Sequence, residues 1–124
     1  MILVDSSGWL EFFTEGPLAN AYAEHLKRPS DIVTPTVVLY EVYKLIKRQR
    51  SEQEAVAAAA QLGKTHVVAL TEAIALTAAD ASLAYHLAMA DAIVYATALT
   101  QGAKLVTSDA DLGVLPGVTY LKKK

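Results

Sequence analysis

Cysteine is absent from these 124 residues. That absence removes disulfides, thiolate zinc sites and cysteine nucleophiles together, and it is compatible with a reducing cytoplasm. Long hydrophobic runs are missing too. The Ala-rich stretch after Asp80 is interrupted by His86, Asp91, Thr97, Thr100 and Gln101, short of the ~18 apolar residues of a membrane span, and reads as a pair of core helices. Met1 to Val4 is too short for a signal peptide and is followed by an acid, so the expectation is a cytosolic protein without a membrane partner. Positive charge is not in excess. A net charge of -2 and a pI near 5.9 provide no bulk attraction for nucleic acid.

The common catalytic signatures are absent as well. There is no GxGxxG, P-loop, GxSxG or HExxH, and His25, His66 and His86 are too scattered for a zinc triad. Ser7 stands where a haloacid-dehalogenase-type phosphatase would need a second Asp, and the adjacent acids of a receiver domain are missing from the first strand. Neither an internal repeat nor a linker divides the chain, so residues 1–124 are expected to form one domain that buries roughly two-thirds of its unfolded surface.

What is present is a set of carboxylates in apolar settings: Asp5 closing MILVD, Glu41 inside VVLYEVY, Asp91 inside LAMADAIVY and Asp109 after KLVTS. Asp91 is the only formal charge between Asp80 and Lys104. An ionised carboxylate taken out of water needs a hydrogen bond, a cation or a raised pKa. At ~4 Å two such groups repel by about 4 kcal/mol at an effective dielectric of 20, so a cluster of them needs cations or protons. Hard divalent ions suit an all-oxygen donor set.

The elements alternate as in a parallel sheet with crossover helices. Ile2 to Val4 reads as a buried strand, followed by a helix capped by Ser6 or Ser7 and carrying Trp9, Leu10, Phe12 and Phe13. A second helix is expected from Pro17 to about Lys27, ended by Pro29. Ile32 to Thr34 is the next strand; Thr34 as N-cap and Pro35 at the first helical position open a helix to about Arg50. Ser51 with Glu54 makes a capping box for an Ala-rich helix closed by Gly63. His66 to Leu70 is a third strand, Thr71 caps a helix through about Tyr85, and a break at His86 to Ala88 leads to a helix ending at Gly102. Lys104 to Thr107 is a fourth strand, and Val118 to Leu121, after a turn region from Gly113 to Gly117, is a candidate fifth. The expected architecture is a three-layer α/β/α sandwich around a central, mostly parallel sheet of four to five strands.

In that architecture Asp5 and Asp109 follow the C-terminal ends of strands, the edge where open α/β sheets bind ligands. Asp91 lies early in a helix, where the dipole favours a carboxylate. With about 100° per residue, Glu41 shares a face with Val37, Val38, Lys44, Leu45 and Arg48. Each acid also has a plainer reading: Asp5 as a helix cap, Asp109 and Asp111 as Asx-turns, Glu41 as a snorkelling side chain, Asp91 as a dipole partner. The conjunction of all of them at one sheet edge favours a single oxygen-lined site. The basic residues Lys44, Lys47, Arg48 and Arg50, and the Lys122 to Lys124 tail, read by themselves as a solvated helix face and a terminus.

The words VDSSGWLEFF, TPTVVLYEV, ADAIVYATAL and KLVTSDADL, in this order and across essentially the whole chain, resemble those of PIN-domain ribonucleases, in particular VapC-type toxins of type II toxin-antitoxin systems. The resemblance implies a PIN-like fold and a Mg2+ or Mn2+ site lined by Asp5, Glu41, Asp91 and Asp109, with Asp111 as an auxiliary acid. It implies auxiliary hydroxyls at Thr107 and Ser6, beside their plainer readings as strand-end residue and helix cap. Ala88 departs from the Ser or Pro that often precedes the Asp helix in this family. The implied activity is endoribonucleolytic: a metal-activated water cuts RNA to leave a 5'-phosphate and a 3'-hydroxyl, with Lys44 and Arg48 positioned to hold flanking phosphates. The implied partners are RNA, a VapB-type antitoxin seated in a groove near Trp9, Phe12 and Phe13, and a second copy of the chain in a homodimer. The rival reading is a catalytically silent module of the same fold whose acidic pocket receives an Arg of a partner protein.

Overall fold

A computed structural model describes residues 1–122; Lys123 and Lys124, the end of the basic tail, lie outside the described residues. The strands are β1 (Ile2–Val4), β2 (Ile32–Pro35), β3 (His66–Val68), β4 (Lys104–Thr107) and β5 (Thr119–Tyr120). The helices are α1 (Ser6–Phe13), α2 (Ala19–His25), α3 (Thr36–Gln49), α4 (Glu52–Leu62), α5 (Glu72–Tyr85), α6 (Met89–Gln101) and α7 (Ala110–Gly113), with a 3-10 turn at Pro29–Asp31. The strands form one five-stranded sheet in the order β3-β2-β1-β4-β5, and every pairing is parallel. Helices on both faces complete the α/β sandwich that the alternation of elements implied.

The strand order has a functional consequence. The chain builds outward from β1 through β2 to β3, then returns to the other side of β1 with β4 and β5. Parallel sheets of this kind open a crevice at the carboxyl ends of the two strands where the direction of winding reverses. Those strands are β1 and β4; Asp5 follows β1 directly and Asp109 lies two residues beyond β4.

The core is formed by apolar residues on both faces of the sheet, among them Leu3, Val4, Ile32, Leu105 and Val106, with Val38, Val42 and Ile46 from α3 and a run from Ala92 to Ala98 on α6. The α6 run is buried on nearly every side, as expected of a helix pressed between the sheet and its neighbours. Small side chains at Ala92, Ala96 and Ala98 let it approach closely. Among the described residues no single helix is long and apolar enough to cross a membrane, and α5 and α6 meet at 116°.

Several local expectations are corrected. Asp5, not Ser6 or Ser7, caps α1, because its carboxylate accepts the Gly8 amide at 3.1 Å. Helix α2 begins at Ala19 rather than Pro17, and Pro29 opens the 3-10 turn. Pro35 closes β2 and takes the cap position of α3, while Thr34 stays in the strand with its hydroxyl bonded to that of Thr65 at 2.6 Å. Gly63 does close α4, in right-handed backbone rather than the left-handed conformation common at helix ends. That conformation appears at His86 (φ 57°) and Gly102 (φ 62°) instead. Strand β3 stops at Val68, two residues early, and α7 occupies the start of what read as irregular chain before β5. The Ser51–Glu54 and Thr71 caps are formed.

Candidate metal centre

Asp5 is only 4% exposed, and its burial is matched by four donated contacts. Thr107 Oγ1 donates to Oδ2 at 2.7 Å, Ser7 Oγ lies 3.0 Å from both oxygens, and the Gly8 amide donates to Oδ1 at 3.1 Å. Burial pushes the Asp5 pKa up; the Thr107, Ser7 and Gly8 donors pull it back, and the nearby charge of Asp109 raises it further. The carboxylate is therefore held in one orientation from β1, α1 and β4 together. The Thr107 hydroxyl also accepts the Asp109 amide at 2.9 Å, and Asp109 Oδ1 accepts the Asp111 amide at 2.8 Å to cap α7.

Asp91 lies in the first turn of α6, half-buried, facing the same crevice. Its pKa is pushed up to about 6, first by burial and then by the negative charges of Asp109, Asp5, Glu41 and Asp111. All five acids are thus electrostatically in one place, with Asp91 as the common neighbour. Carboxylate oxygens of Asp91, Asp109 and Asp111 all lie within 4.8 Å of one another. Opposite oxygens around Mg2+ at its usual ~2.1 Å are about 4.2 Å apart, and around the larger Ca2+ closer to 4.8 Å. The three oxygens therefore fit a hard divalent cation with small side-chain adjustment.

The sequence-derived residues fall into distinct positions. Asp91 and Asp109 are in the tight group with Asp111, which had read as auxiliary; Asp5 and Glu41 stand outside it, close enough to act on Asp91 by charge. Ser6 occupies the first position of α1 and makes no hydrogen bond to Asp5; the hydroxyl that does is that of Ser7. Lys44 and Arg48 are exposed on α3, one and two turns beyond Glu41. Trp9 is 3% exposed and stacks on Phe13 at 5.7 Å, while Phe12 and Phe13 are half-buried. Phe13 also lines a cleft of about 160 Å³ with Ile46, Arg50 and Glu54.

Sequence reasoning missed Ser7, Gly8 and Tyr22. Tyr22 is fully buried behind Asp5, and its hydroxyl has no well-formed hydrogen bond. Its pKa is pushed up to about 12, by burial and by the Asp5 and Glu11 charges, against the influence of the Ser108 and Ser7 hydroxyls. Gly8 makes this possible, because a Cβ there would run into the Tyr22 ring and Val4. The only signal available was the glycine three places after Asp5.

Four cations crowd α3 and its end, and they divide in two. Lys47 pairs with Glu52 at 3.1 Å and Arg50 with Glu54 at 3.3 Å. Lys44 and Arg48 have no acidic partner among the described residues. These are the two on the Glu41 side of the helix.

Comparison with known proteins identifies the family and the fold. The family model for the PIN domain matches residues 2–117. No curated protein matches the chain by sequence. Among solved structures, a toxin-antitoxin complex from Klebsiella pneumoniae superposes with a TM-score of 0.83 at 23% identity, covering 99% of this chain and 100% of that one. The Mycobacterium tuberculosis VapC toxin that cleaves the sarcin-ricin loop gives 0.76 at 25% identity, covering 95% and 97%. DNA-bound VapBC from Salmonella typhimurium gives 0.72 at 14% identity, covering 98% of each chain.

Proposed function

This chain belongs to the PIN domain family, and from that premise we propose that it is a Mg2+- or Mn2+-dependent endoribonuclease, the VapC-type toxin of a type II toxin-antitoxin pair. The observation that carries the reading is the convergence of four other acids on Asp91 at the winding switch of the sheet, with oxygens of three of the five acids within 4.8 Å of one another. Asp91, Asp109 and Asp111 would hold a divalent ion directly, and Asp5 and Glu41 would complete its surroundings. Such an ion supplies Lewis-acid polarisation of a phosphoryl oxygen and an activated water.

The chain's own residues do the rest. Thr107, Ser7 and the Gly8 amide hold Asp5 in a fixed orientation, so its charge is presented without reorganisation. Lys44 and Arg48, without acidic partners among the described residues, offer phosphate contacts to RNA running past Glu41, whereas Lys47 and Arg50 are already neutralised. A VapB-type antitoxin is part of the same reading, supported by neighbours that include toxin-antitoxin complexes, and a homodimeric state in the cytoplasm completes it. Phe12 and Phe13, whose rings remain partly open, are the better candidates for the antitoxin groove than the buried Trp9.

The test is cleavage of RNA by purified protein, free of antitoxin, with Mg2+ or Mn2+, and with sequencing of the new ends. Expected are 5'-phosphate and 3'-hydroxyl termini, and loss of cleavage in chelator and in Asp91→Asn. Cleavage that persists at the wild-type rate in excess chelator would overturn the metal-dependent reading.

A further inference from the structure

Tyr40 precedes Glu41 on α3 and is 60% exposed, more than any other aromatic side chain among the described residues. On the helix it shares an arc with Lys44, Arg48 and Glu41 that spans about 100°. Lys44 Nζ donates to the Tyr40 hydroxyl at 3.3 Å and lies 5.1 Å from the ring centroid. The two distances together place Nζ at the hydroxyl end of the ring rather than above its centre. The contact is therefore chiefly a hydrogen bond at the hydroxyl end, which leaves the faces of the ring open. The neighbouring aromatic Tyr43 is half-buried, and its lysine, Lys47, is held by Glu52.

An open aromatic face next to a cation that has no acidic partner among the described residues is the arrangement by which proteins hold single-stranded nucleic acid: a base stacks on the ring and the adjoining phosphate meets the cation. We propose that Tyr40 is a base-stacking platform for single-stranded RNA, holding a nucleotide that flanks the phosphate presented to the acidic site, with Lys44 meeting the backbone. This rests on the nuclease reading above and adds a specific grip on substrate that the acids do not provide. Every base has a stackable face, so the contact favours unpaired over duplex RNA without choosing a sequence.

The experiment measures binding in the Asp91→Asn background, which separates it from cleavage. Single-stranded RNA oligonucleotides carrying one 2-aminopurine at successive positions are titrated with Asp91→Asn alone and combined with Tyr40→Phe or Tyr40→Leu. Expected is quenching concentrated at one position, retained in Tyr40→Phe and lost in Tyr40→Leu, with affinity falling on the order of 10-fold in the leucine variant only. Unchanged affinity and quenching in Tyr40→Leu would overturn the stacking role. So would an equal loss in Tyr40→Phe, which would assign the effect to the hydroxyl. If Asp91→Asn binds no single-stranded RNA whatever stands at position 40, the nuclease reading falls together with this one.

Discussion

The Thr107 hydroxyl donates to Asp5 Oδ2 at 2.7 Å, joining the ends of two neighbouring strands across 102 residues of sequence. It accepts the Asp109 amide at the same time, so one buried side chain sets the relative positions of two acids. Thr107→Val keeps the shape and removes both bonds. A stability loss of about 1–3 kcal/mol is expected, because a buried carboxylate and a backbone amide each lose a partner. Thr107→Ser should lose less. Urea denaturation checks this: the midpoint should fall in the valine variant with the slope unchanged.

Asp91→Asn and Asp5→Asn should both abolish cleavage yet differ in their effect on stability. Asp91 sits among like charges and accepts no hydrogen bond from the described residues, so its amide should raise the stability of the metal-free protein at neutral pH. Asp5 is an acceptor to Thr107, Ser7 and Gly8, and an amide there turns one acceptor into a donor facing donors. A loss of about 1–2 kcal/mol is expected. Thermal melts of the two variants without metal should move in opposite directions.

The tight group also sets an order among the later acids. Asp111→Asn should reduce cleavage as severely as Asp109→Asn, since both contribute an oxygen to the same 4.8 Å cluster. Asp109→Asn should not destabilise α7, because Asn caps a helix about as well as Asp. Near-normal cleavage by Asp111→Asn would return that residue to an auxiliary role.

The pH dependence follows from Asp91. Its folded pKa, about 6, lies above the ordinary 3.8, so between about 4 and 6 the native state holds more protons than the unfolded chain. This contribution to stability is fully present below 3.8 and is lost as pH rises through 6. Burial raises the Asp5 pKa in the same direction. Melting temperature without metal should therefore decline from pH 4.5 to 7, and the decline should be shallower in Asp91→Asn. Saturating Mg2+ should oppose it, raising stability most at neutral pH, because binding requires the deprotonated form.

Salt dependence should distinguish the cations on α3. Lys44→Ala with Arg48→Ala should flatten the salt dependence of RNA binding by up to about 1.4 log units per log unit of salt, at roughly 0.7 per single-strand phosphate contact. Lys47→Ala with Arg50→Ala, which removes charges already paired to Glu52 and Glu54, should leave the slope nearly unchanged. The measurement is a titration of non-cleaving Asp91→Asn with one oligonucleotide across a salt series. Equal slopes in both double variants would remove Lys44 and Arg48 from the interface.

By itself the sequence determined most of the elements and the edge of the sheet that carries the acids. Strand–helix alternation with short apolar strands leaves parallel pairing as the workable arrangement, and residues just after such strands must emerge at one edge. Local chemistry was equally readable where it closes within a few residues, as in the Ser51 and Thr71 caps. It misled where a competing partner lay far away in sequence, as when Thr34 gave up its cap role to bond Thr65, and where neighbouring residues compete for one role, as when Asp5 rather than either serine caps α1. Only the tertiary structure decided that β1 and β4 are neighbours, and hence that Asp5, Thr107 and Asp109 share one network. It also decided that Asp111 rather than Asp5 or Glu41 joins the tight oxygen group, that Tyr22 fills the space left by Gly8, and that two of four cations are spent on helix α4. These outcomes depend on distances of a few ångströms between segments tens of residues apart, which periodicity and spacing along one chain do not encode.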